Sequence, residues 1–155
     1  MEQNERKCAR SAEEKIAVLK RLREMLLRER EKLRSYLALL EQEERSIEQG
    51  AAERLLAQVE MEQSIIAELF TLKKVIAPLQ SLYHAAYPDT EDTIPRLQAT
   101  LESMGAQVVA HNARNRKLLR EQMDVLRQEI SSLRSWPRAG SPFAEVVPSL
   151  VDITT

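Results

Sequence analysis

The sequence predicts an all-α fold: an elongated antiparallel three-helix bundle or coiled coil, with a kinked second helix and a non-helical C-terminal tail. Three observations carry that prediction. Aromatic residues make up only 4% of the 155-residue chain and there are only three glycines, while Leu, Glu, Arg, Ala and Gln dominate, the profile of long helices. Apolar residues recur at helical spacing through three long stretches. Turn-forming residues gather at Gly50, at "PDTEDT" (88–93) and after Ser135. The expected organisation is a helical domain over residues 1–135 and a flexible tail over 136–155.

The first helix is expected from about Ser11 to Gln49. Ser11 followed by Glu14 has the spacing of a capping box, in which a serine hydroxyl and a glutamate satisfy orphan amides reciprocally. Leu19, Leu26, Leu33, Leu40 and Ile47 recur every seventh residue, with Leu22 and Tyr36 in intermediate layers. Glu29 and Glu43 take the other intermediate layers, so the seam is imperfect. A seven-residue repeat of this length implies left-handed supercoiling against a partner helix. Arg, Lys and Glu at spacings of three and four keep the outer face wet.

Gly50 is the expected stop of that helix, because glycine adopts the left-handed conformation that closes a helix without a Cβ clash. A second helix follows from about Ala51 to Ala77. Leu55, Val59, Ile66, Leu69 and Ile76 form its apolar stripe, widened by Leu56, Ile65, Phe70 and Leu72. Pro78 lacks an N–H and crowds the preceding turn, so "LQSLYHAAY" (79–87) reads as a kinked continuation. The third helix is expected from Thr93 or Ile94 to Ser135, with Pro95 tolerated in its first turn. Its stripe runs Leu97, Leu101, Met104 and Val108, then Leu119, Met123, Leu126, Ile130 and Leu133. Between Val108 and Leu119 that stripe meets two carboxamides, Asn112 and Asn115. The tail "WPRAGSPFAEVVPSLVDITT" (136–155) has three prolines and no helical period, yet Val146, Val147, Leu150, Val151 and Ile153 are apolar.

Several classes of function find no support. With 23 basic and 24 acidic residues the net charge is −1, so no global field draws nucleic acid or anionic lipid. The basic run "RNRKLLR" (114–120) lacks aromatics for base stacking and is followed by Glu121 and Asp124. His84 and His111 are far apart, neither has a ligand at metal spacing, and both read as partly exposed helix residues. Three scattered glycines build no phosphate loop. The carboxylates of "EQEERSIE" (41–48) and "VEMEQ" (59–63) read as a solvated face and not as acid–base machinery. No apolar run approaches the ~20 residues of a bilayer span, and the start "MEQNERKCAR" has no apolar core of a secretory signal. Cys8 stands alone, which suits a reducing compartment. The expectation is a soluble, cytoplasmic, non-catalytic protein without cofactor or metal, acting through helix-mediated protein binding.

Two stretches point further. "EMEQSIIAELFTL" (60–72) and "NARNRKLLREQMDVLRQEI" (112–130) resemble the second- and third-helix patterns of the FlgN-type flagellar type III export chaperones, the second with its paired asparagines ahead of two leucines. The resemblance covers roughly residues 12–134; the tail resembles nothing in that family. It implies a small cytoplasmic helical chaperone that binds the C-terminal helices of hook-filament junction proteins, the hook-associated proteins of FlgK and FlgL type. Such a protein prevents premature assembly of its clients and delivers them to the export apparatus. Carried onto this chain, the client-binding residues would be Asn112, Asn115, Leu118, Leu119, Gln122, Met123, Leu126 and Ile130. For the two asparagines a structural role remains open, since a polar residue in a seam fixes register. The alternative function is a homo-oligomeric structural coiled coil or adaptor without a secreted client, in which the heptads at 19–47 pair with a second copy; a homodimer is compatible with either.

Overall fold

Three helices make up this computed structural model, which describes residues 2–86 and 93–135. They are α1 (Glu2–Glu48), α2 (Ala52–Ala86) and α3 (Thr93–Ser135), and no strand occurs among the described residues. The chain divides into two compact units, Met1–Gln122 and Met123–Thr155, so the division falls inside α3. The tail at 136–155 and all of the 88–93 loop but Thr93 lie outside the described residues.

α1 starts earlier than its capping signal. Ser11 is inside the helix, which reaches back to Glu2. The residues ahead of it include Glu5, Arg6, Lys7, Ala9 and Arg10, all good helix formers, so propensity outweighs a serine that could have served as a cap. The other end behaves as its sequence predicts. Gly50 has φ +64°, its N–H donates to the Ile47 carbonyl at 3.1 Å, and the Ala51 N–H donates to the Ser46 carbonyl at 2.9 Å. Those two bonds are the Schellman closure, which satisfies carbonyls that the end of a helix leaves open. α2 continues through Pro78 to Ala86, as expected of a proline whose neighbours keep helical spacing.

Within Met1–Gln122 the contacts fix the topology. Lys32 pairs with Glu68 and Tyr36 with Glu62, so α2 runs antiparallel to α1. Asn112 reaches Tyr36 and Asn115 reaches Leu40, so α3 runs parallel to α1. The seven-residue seam of α1 is spent on these neighbours. Leu26, Leu33, Leu40 and Ile47 are buried and Leu19 is half-buried, leaving that seam no free edge for a second copy. Leu22, Met25, Leu26, Leu33, Tyr36 and Leu40 of α1 pack with Leu69, Ile76 and Tyr83 of α2 and with Ile94, Leu97, Leu101 and Val108 of α3. Full burial of a leucine such as Leu26 contributes roughly 1.5–3 kcal/mol.

The expected stripe of α2 is divided by the packing. Leu69 and Ile76 are buried, with Leu55, Ile65 and Leu72 half-buried behind them. Val59 and Ile66 are exposed together with Leu56 and Phe70. The helix is apolar on two edges, and its neighbours in this unit cover one of them.

Candidate functional site

The stretch "HNARNRKLLREQM" (111–123) leads from a polar layer inside the bundle towards an apolar stretch in water. At its start, the 3.6-residue period of α3 turns His111, Asn112 and Asn115 towards α1 and α2. Asn115 is 4% exposed, and its Nδ2 donates to the Leu40 carbonyl at 2.8 Å and to Glu43 Oε2 at 3.5 Å. Asn112 Nδ2 donates to Glu62 Oε1 at 3.2 Å and approaches the Tyr36 hydroxyl at 3.4 Å. That hydroxyl donates to the same Glu62 oxygen. His111 is buried, not partly exposed as expected, with Nε2 2.9 Å from Glu44 Oε2. His84 is exposed and meets the Tyr83 ring edge-on at 5.5 Å.

The electrostatics of this layer are unusual for a helical surface. Burial, followed by the neighbouring charge of Glu62, pushes the Glu43 carboxyl above the usual carboxylate range; the Asn115 hydrogen bond and His111 oppose that push. Burial and then the hydrogen bond to Glu62 push the Tyr36 phenol up as well. Glu29, also buried, is raised by desolvation and eased by Lys73. Glu43 Oε1 and Asn115 Oδ1 are both buried acceptors without a hydrogen-bond partner. The reading of "EQEERSIE" as a wholly solvated face is therefore corrected at Glu43. Its seat in the α1 seam places it inside, and the heptad spacing was the signal that could have found it.

The two asparagines thus bond to α1 and α2 within their own bundle. Leu118, Leu119 and Gln122 are half-buried. Met123 to Arg134 forms a second kind of surface: every residue is helical and exposed. Met123, Leu126, Ile130 and Leu133, which are 43–64% exposed, recur at i, i+3, i+7 and i+10. They share one helix face about 15 Å long at 1.5 Å per residue. On the remaining faces lie Asp124, Arg127, Glu129 and Arg134, with Arg127 paired to Asp124 at 3.1 Å.

A shallow groove of ≈ 800 Å³ also runs between α1 and α2. Leu27, Ala67, Thr71 and Leu72 give it an apolar floor, and Glu24, Arg28, Glu31 and Glu68 rim it. Among the described residues no group of three or more His, Cys, Asp or Glu could hold a metal ion, and no helix is long and apolar enough to cross a membrane.

No family profile matches the sequence, and no solved structure matches it. The chain is 34% identical over 121 residues to an uncharacterized protein of Treponema pallidum (strain Nichols), an alignment that takes in 78% of each chain.

Proposed function

The chain belongs to one family with that Treponema pallidum protein, and for it we propose the function of a cytoplasmic export chaperone. Its clients would be the C-terminal helices of flagellar hook-associated proteins. One observation supports this reading above the others: Met123, Leu126, Ile130 and Leu133 line one face of a helix and all stand in water. Leaving four large apolar side chains exposed at seam spacing costs solubility, and a helix that lays its own apolar face against them removes that cost. A client whose terminal helices are destined for assembly elsewhere carries such a face. Methionine at the start of the stripe gives a flexible, polarizable contact that adapts to more than one client.

The charged residues around the stripe suit reversible capture. Asp124, Arg127, Glu129 and Arg134 can pair with charges flanking a client's apolar face, which directs register and keeps the complex separable. Binding of this kind needs no cofactor. Of the residues that the resemblance implies, Met123, Leu126 and Ile130 carry the proposed client contact, joined here by Leu133. Asn112 and Asn115, by contrast, hydrogen-bond within the bundle.

The test is calorimetric titration of the full chain with a synthetic C-terminal segment from a hook-associated protein. Micromolar or tighter one-to-one binding is expected. Leu126→Asp and Ile130→Asp should each weaken it ~30-fold or more, the loss typical of a central interface anchor, while leaving the circular dichroism spectrum unchanged. Unaltered affinity in both variants would remove this face from the proposal, and no binding by the parent chain would remove the client class.

A further inference from the structure

α2 carries apolar residues that its own bundle leaves uncovered. Its inward edge is Ile65, Leu69, Leu72, Ile76 and Tyr83. On the opposite edge Leu56, Val59, Ile66 and Phe70 are exposed, Leu56 at 69% and Phe70 at 61%. With Ala52 and Gln63 they fall at positions 52, 56, 59, 63, 66 and 70, the alternating steps of four and three that define a coiled-coil seam; the next seam position is Lys73. A helix apolar on two edges is one that is packed on two edges.

The charges along the flank of this seam specify the partner. Seven-residue steps place Glu53, Glu60, Ala67 and Lys74 on one flank: acid, acid, alanine, base. All four are exposed, and Lys74 Nζ sits 4.4 Å above the Phe70 ring. A parallel second copy would turn this flank towards the partner's Leu55, Glu62, Leu69 and Ile76, which are buried or half-buried within their own bundle. An antiparallel copy related by a twofold axis near Ala67 sets Glu60 beside the partner's Lys74, and symmetry repeats the pair on the other side. The same axis brings Ile66 and Phe70 of both copies to the centre, with small Ala67 permitting close approach of the helices. An isologous twofold contact requires a patch complementary to itself, and this flank is.

We propose that the outer seam of α2, centred on Ile66 and Phe70, is an antiparallel homodimer interface. It is separate from the α1 heptads, which are buried within the bundle, and it does not depend on the client-binding reading of residues 123–133.

The test is analytical ultracentrifugation of the full chain from 1 to 200 µM. A reversible dimer is expected. Phe70→Glu, at an exposed position that the fold does not need, should raise the dissociation constant ~30-fold or more. Glu60→Lys and Lys74→Glu should each weaken the dimer roughly threefold and restore it when combined. In a Cys8→Ser background, Ala67→Cys should cross-link two copies under mild oxidation, whereas Leu56→Cys should not. A monomer at every concentration overturns the proposal. So does a dimer indifferent to Phe70→Glu, or one that cross-links through Leu56→Cys and not through Ala67→Cys. If the chain is monomeric and removal of residues 136–155 then produces a dimer, the seam belongs to the chain's own tail, and the proposal fails for the intact protein.

Discussion

Replacing Glu43 by glutamine should make the protein more stable at neutral pH, and the gain should vanish in acid. Glu43 is 5% exposed, and one of its oxygens accepts a long hydrogen bond from Asn115 Nδ2. Its other oxygen and Asn115 Oδ1 are both buried acceptors without a hydrogen-bond donor. A proton on Glu43 would supply one, which accords with a carboxyl raised above its ordinary 4.5 by burial and by Glu62. The sign follows from the direction of the shift. A carboxyl raised on folding contributes stability that is fully present below the unfolded value near 4.5 and is lost as pH rises through the folded value. Above that window the bundle holds a buried carboxylate. Glutamine keeps the shape and carries a permanent donor, so it can accept from Asn115 Nδ2 and donate to its Oδ1 at any pH. Leaving a buried acceptor unsatisfied costs ~1–3 kcal/mol, and the variant should recover about 1–2 kcal/mol at pH 7.5. In a domain of this size that is roughly 3–6 °C in Tm. Thermal melts followed by circular dichroism between pH 4 and 8 measure it, with exposed Glu41→Gln as the control. An unchanged or lower Tm at pH 7.5, or a gain that persists undiminished at pH 4, would refute the reasoning.

Other perturbations separate packing from surface in the same way. Asn115→Ala removes the donor to Leu40 and Glu43 and leaves a small void; urea titration should show a loss of ~1–3 kcal/mol. Gly50→Ala meets no atom within 4 Å of the added Cβ, so its cost is that of the positive φ alone. A loss of about 1 kcal/mol in the same assay is expected, and a neutral result would show that the α1–α2 turn relaxes into another form.

Much of the bundle is legible in the heptads because helical period is a property of the chain alone. Leu26, Leu33, Leu40 and Ile47 lie on one line whatever they meet, so their burial was predictable from spacing. The Gly50 closure was predictable because it is made by the backbone within six residues. Ser11 shows the limit of a local signal: a cap is used only if the residues ahead of it resist helix, and Glu5 to Arg10 do not. Glu43 was visible as a break in the seam, but its raised carboxyl depends on burial among its neighbours and on the charge of Glu62 on α2.

The sequence by itself determined that α2 would carry a wide apolar stripe, and that two carboxamides would interrupt the stripe of α3. Only the tertiary structure decided which residues those features would face. Leu69 and Ile76 went inward and Ile66 and Phe70 stayed out, because α1 and the 93–122 part of α3 cover one edge of α2. Asn112 and Asn115 found Tyr36, Leu40, Glu43 and Glu62 within their own unit, while Met123 to Leu133 remained exposed. The physical reason is that periodicity fixes directions around one helix axis, whereas burial is set by the neighbour that occupies each direction.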